Sequence, residues 1–70
     1  MGEVALARLW RLPDGTTCLI LKDPEADAWI VRIVRGDIVL RTEQFSHAIV
    51  AMEQARQWRT SFDPDFQPSP

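Results

Sequence analysis

Tyrosine is absent from this chain, glycine occurs three times, and there is one cysteine and one histidine. A lone cysteine excludes an internal disulfide, and one histidine beside it does not make a zinc site of four such ligands, so neither metal nor cofactor is expected. No apolar run approaches the roughly 18 residues of a membrane span. The first residues show no basic stretch ahead of an apolar signal core, and a cytoplasmic setting without membrane attachment is the expectation. Excess positive charge is missing too. Eight Lys and Arg against ten Asp and Glu leave a net charge of −2, which argues against the sequence-independent phosphate binding of a basic domain. None of the signatures HExxH, GxSxG, P-loop or GxGxxG occurs. His47 stands in the first turn of an expected helix, and Cys18 lies among apolar strand neighbours, where a thiol is inert. The expectation is a protein that is not an enzyme.

What is present is one small domain's worth of chain, 70 residues, whose core must be thin because so short a chain buries only about 60% of its unfolded surface. Pro13-Asp14-Gly15 separates Val4–Leu12 from Thr16–Lys22. A proline that presets the first turn position, with a glycine able to take positive φ, reads as a hairpin. Asp23-Pro24-Glu25-Ala26-Asp27 is a polar connection. Gly36-Asp37 then divides two runs rich in β-branched residues, Ala28–Arg35 and Ile38–Glu43, and reads as a second hairpin. After Glu43 the apolar period lengthens from two to about 3.6, with Ala48, Ile49, Met52 and Ala55 on one stripe, Phe45 just before it and Trp58 near its end. Ser46 is the expected N-cap of a helix from about His47 to Trp58 or Arg59. The expected fold is α+β: a four-stranded antiparallel meander and one helix packed on one face, ββββα, in a single domain over residues 1–60. Residues 61–70 hold three prolines with Asp63 and Asp65 and read as a disordered tail.

A two-residue turn at Gly36-Asp37 sets Arg35 opposite Ile38, Ile33 opposite Leu40 and Val31 opposite Thr42. Trp29, Val31, Ile33, Ile38 and Leu40 then share the helix-covered face, with Leu9, Leu19 and Leu21 joining them. The same register sets Arg32 against Arg41 on the other face, beside Ile30, Val34 and Val39. A three-residue Pro-Asp-Gly loop pairs Trp10 with Cys18 and Arg8 with Ile20, whereas a two-residue Asp14-Gly15 turn would swap Trp10 inward. The three-residue loop adds Leu6, Arg8, Trp10, Leu12, Cys18 and Ile20 to that second face, which is then far too apolar for a sheet surface in water.

From this map the expected function is a non-enzymatic interaction module. It would self-associate as a homodimer through its sheet, with Trp10, Ile20, Val34 and Val39 central. Arg8, Arg32 and Arg41 would bind an acidic protein partner. Seven of the eight basic residues are arginine, the side chain suited to bidentate carboxylate or phosphate contacts. The alternative is a single-stranded nucleic-acid-binding protein that uses Trp10 with the same arginines. The β-β-β-β-α order is similar to that of single-strand-binding transcriptional coactivators that dimerise through related elements. That likeness is one of architecture alone, and no motif residue here carries their sites over. Phe62 and Phe66, four residues apart beside Asp63 and Asp65, are further candidates for docking on the apolar face.

Overall fold

Turn chemistry sets the frame of the molecule. In the first turn the Leu12 amide donates to the Thr16 carbonyl at 2.7 Å and the Gly15 amide to the Leu12 carbonyl at 3.0 Å. Gly15 takes φ of 95°, which a Cβ would disfavour. The Asp14 carboxylate accepts from the Thr16 amide at 2.9 Å. In the second turn Gly36 holds φ of 60° at the first of two central positions, the glycine placement of a type II′ turn. Between the hairpins, the Asp23 carboxylate accepts from the Glu25 and Ala26 amides and closes the polar connection locally.

The computed structural model describes Gly2 and residues 4–62. Strands β1 (Val4–Arg11), β2 (Thr16–Asp23), β3 (Ala28–Arg35) and β4 (Ile38–Phe45) form one antiparallel sheet in the order β1-β2-β3-β4, and helix α1 (Ala48–Phe62) packs on it. This is the ββββα fold expected. The helix begins one residue later and ends three residues later than its expected span to Arg59, so Ser61 and Phe62 belong to it; residues 63–70, including Asp63, Asp65 and Phe66, lie outside the described residues. Its first backbone bond runs from the Ala51 amide to the His47 carbonyl at 3.1 Å, which puts His47, rather than Ser46, at the N-cap position.

Three bulges decide which way the strands face. The registers shift between Ala5 and Ala7 and between Arg8 and Trp10 in β1, and opposite Ile33 and Val34 in β4, leaving Leu6, Leu9 and Leu40 as the extra residues. Trp10 pairs with Cys18 as expected, but Arg8 pairs with Leu19 instead of Ile20. Ile33 pairs with Arg41 instead of Leu40, and Val31 with Glu43 instead of Thr42. Each bulge adds one residue to one strand, and because strand faces alternate, everything beyond it changes side.

The core therefore differs from the expected one. Cys18, Ile20, Val31 and Ile33 lie on the helix side and cluster with Ala51, Ala55 and Trp58, while Leu9, Trp10, Trp29, Leu40, Phe45 and Phe62 pack around them. Leu19 and Leu21 alternate onto the opposite, outer face. Burying each large apolar side chain contributes about 1.5–3 kcal/mol. The buried helix stripe is Ala51, Ala55 and Trp58, whereas Ile49 and Met52 are 79% and 52% exposed. The alanines face a floor already filled by Val31 and Ile33, and small side chains let the helix axis approach it. The larger Ile49 and Met52 are rotated to the flank.

Candidate functional site

The expected site residues fall into three groups. Trp10 and Ile20 belong to the helix side: Ile20 is in the buried cluster, and the Trp10 indole donates from Nε1 to the Ala55 carbonyl at 2.8 Å. Their expected place on the outer face is corrected, together with that of Cys18. The cause is the β2–β3 register, which pairs Cys18 with Ile33 and Ile20 with Val31 and so commits these residues to the face of β3 that the helix covers. Burial pushes the Cys18 thiol up to about 12.

Arg41 forms the second group. The bulge at Leu40 turns it to the helix side, where its guanidinium carbon lies 4.2 Å from the centroid of the Trp58 ring and its Nη2 lies 3.6 Å from Glu43 Oε2. The expected Arg32–Arg41 cross-strand pair does not exist, since Arg32 stands opposite Thr42. Trp58 thus meets both the Arg41 cation and the tilted ring of Phe45, whose centroid is 6.3 Å away.

Arg8, Arg32, Val34 and Val39 make up the third group, and these do share the outer face. One cross-sheet row runs Arg8, Leu19, Arg32, Thr42, and the next runs Arg11, Thr17, Val34, Val39. Spacing of about 4.8 Å between strands separates the Arg8 and Arg32 backbones by roughly 10 Å, with Leu19 between them. Among the described residues, Asp23 is the single strand carboxylate on that face, and it caps its own turn at the end of the sheet. Ion pairs elsewhere join Arg35 with Asp14 at 3.4 Å, Lys22 with Asp27 at 2.9 Å and Arg56 with Glu53 at 2.8 Å. Hydrogen bonds from the Thr16 side chain and amide, with Arg35 nearby, hold the Asp14 carboxyl below its ordinary range, and Lys22 does the same for Asp27. Arg8 and Arg11 are exposed and make no ion pair among the described residues.

A groove of about 280 Å³ runs between β1 and α1, lined by Leu9, Trp10, Met52, Ala55, Arg56 and Arg59. Of these, the sequence reading singled out Trp10 as a binding residue and missed Arg56 and Arg59. Their spacing held the signal: Met52, Arg56 and Arg59 recur at intervals of four and three, the period of one helix side. Arg59, in the last helical turn, has no ion-pair partner among the described residues.

Among the described residues no group of three or more His, Cys, Asp or Glu is placed to hold a metal ion, and no helix is long and apolar enough to cross a membrane. Compared with protein-family models, curated proteins and solved structures, the chain matches none.

Proposed function

We propose that this protein is a non-enzymatic binding module that recognises an acidic segment of another protein through the arginines around β1. One observation carries the reading: Arg8 and Arg11 on the outer face and Arg59 beside the groove are exposed and have no carboxylate partner among the described residues, whereas Arg35 and Arg56 are ion-paired and Arg41 stacks on Trp58. Guanidinium groups left in this way favour carboxylates, which they can bind bidentately. Arg32 shares the outer face with Arg8 and extends the cationic row. Single-stranded nucleic acid is the weaker reading. Its stacking residue, Trp10, turns its indole N–H to the helix while Arg8 points to the other face. Self-association is a separate reading: of its expected apolar centre Val34 and Val39 remain on the outer face, where Leu19 and Leu21 join them, while Trp10 and Ile20 lie on the helix side.

The test is titration of the chain with a short glutamate-rich peptide and, separately, with a short single-stranded oligonucleotide, at low and at physiological salt. The peptide should bind with affinity that falls as salt rises, and the double substitution Arg8→Gln with Arg11→Gln should weaken it. Preference for the oligonucleotide would move the function to nucleic acid. Absence of binding to either at low salt would refute it outright.

A further inference from the structure

The groove between β1 and α1 is built unlike the outer face. Its floor is apolar, from Leu9, Trp10, Met52 and Ala55, and its helix side is lined by Arg56 and Arg59. Met52 is half-exposed along the groove, and a thioether beside an indole makes an adaptable contact for another aromatic group. The floor is also fixed in place: the Trp10 N–H is tied to the Ala55 carbonyl at 2.8 Å, so the indole does not need to be ordered when something binds against it. Arg56 is engaged by Glu53 through both carboxylate oxygens, at 2.8 and 2.9 Å, while Arg59 has no such partner among the described residues. The groove thus offers an apolar slot with one cation at its side, Arg59, that no carboxylate among the described residues engages. At about 280 Å³ it has room for one large side chain and is small for a free organic ligand.

We propose that this groove seats a single large apolar side chain, aromatic by preference, from an acidic segment of a partner protein, with a flanking carboxylate of that segment on Arg59. The inference rests on the acidic-partner reading and adds the anchor to it. Charge complementarity selects the occupant. Between Val4 and Arg11 strand β1 has no acidic residue, and the helix side of the groove presents two arginines, so an apolar segment lacking carboxylates would leave Arg59 facing apolar surface.

The experiment uses the full chain and three capped peptides: Glu-Asp-Phe-Asp-Glu, Glu-Asp-Ser-Asp-Glu and Gln-Asn-Phe-Asn-Gln. The readouts are the dissociation constant and the indole Nε1–H resonance of Trp10, assigned through Trp10→Phe. The first peptide should bind best and shift that resonance. Removing its phenylalanine should weaken binding by roughly tenfold or more, the loss expected for a buried aromatic side chain. Arg59→Gln should weaken it several-fold and flatten the salt dependence. Met52→Asp, at an exposed position that leaves the fold intact, should abolish the advantage of the phenylalanine peptide over the serine one, and Met52→Leu should keep it.

Equal binding of the phenylalanine and serine peptides, with dependence on Arg8 and Arg11 retained, overturns the anchor and leaves the acidic-partner reading standing. Failure of both acidic peptides at low salt overturns both. Equal binding of the neutral peptide overturns the role of charge. A Trp10 shift on simple dilution of the protein would give the groove to a second copy of the chain, and one in Phe66→Ser without peptide would give it to the chain's own C-terminal segment; either overturns the proposal.

Discussion

Both edge strands of this sheet are bulged, yet the two edges differ in what the bulge accomplishes. In β1 the extra residue at Leu9 separates Arg8 from Trp10, neighbours two apart that would otherwise share a face, so the guanidinium stays outside and the indole goes under the helix. In β4 the extra residue at Leu40 does the reverse and brings a cation, Arg41, inward onto Trp58. A bulge also discourages another strand from pairing with an open edge. The comparison teaches that one inserted residue decides whether an arginine serves the core or the surface. At β1 the result is a basic flank beside an apolar groove, and at β4 it is a charge absorbed into packing.

The sharpest way to break the comparison is at the centre of the β4 side. Trp58→Ala should remove about 3–5 kcal/mol of stability, since it empties a buried site and leaves Arg41 and Phe45 without their common partner. Urea unfolding would show it, and a midpoint close to that of the parent would mean that Arg41 and Trp58 do not meet. Next in size is the tie on the β1 side. Trp10→Phe keeps most of the ring but loses the bond to Ala55, and should cost about 1–2 kcal/mol in the same measurement.

Smaller still is the cation on the ring. Arg41→Gln should cost about 0.5–1 kcal/mol, because the group is half-exposed. Arg8→Gln should leave stability within about 0.5 kcal/mol and alter peptide binding alone. Unequal effects of these two arginine substitutions on folding are what the bulges require, and equal ones would argue that the faces are wrongly assigned.

A pH measurement addresses the shared core. The folded Cys18 thiol ionises at about 12 against an ordinary value of 9.0. Below about pH 9 both folded and unfolded chains hold the proton, and its contribution to stability is constant. As pH rises from about 9 toward 12 the unfolded thiol ionises first, so stability should decline across that window. Denaturant midpoints of the parent and Cys18→Ala should diverge in slope there. Parallel curves would place the thiol in contact with water.

The parts of the fold that were legible in the sequence are those written locally. Pro13-Asp14-Gly15 and Gly36-Asp37 specify their turns by φ alone, and the change of period after Glu43 marks the helix. The bulges at Leu6, Leu9 and Leu40 have no such mark, because leucine is an ordinary strand residue and the extra residue is set by packing between strands. The faces of β2 depended on the connection Pro24–Asp27, where Asp27 adopts φ of 49° and sets the pairing of Asp23 with Ala28. That positive φ at a non-glycine residue was not readable from composition. On the helix, weighting by hydrophobicity favoured Ile49 and Met52. The helix packs instead through Ala51 and Ala55, since the space beneath it is filled from the sheet. Of the site, Arg8 and Arg32 were placed correctly relative to one another, and Arg41 was not, for the reason just given at Leu40.

The bond between the Trp10 indole and the Ala55 carbonyl also has a temporal side. Its two ends are 45 residues apart. At about 5–20 residues per second, the carbonyl is synthesised some 2–9 seconds after the indole. The first hairpin, whose second strand ends at Asp23, can close within microseconds of its own completion, so β1 and β2 can be paired with each other but uncapped for well over half of that interval. During it Trp10, Cys18 and Ile20 form a bare apolar strip on the nascent chain. The earliest strand to appear is therefore the last to be finished.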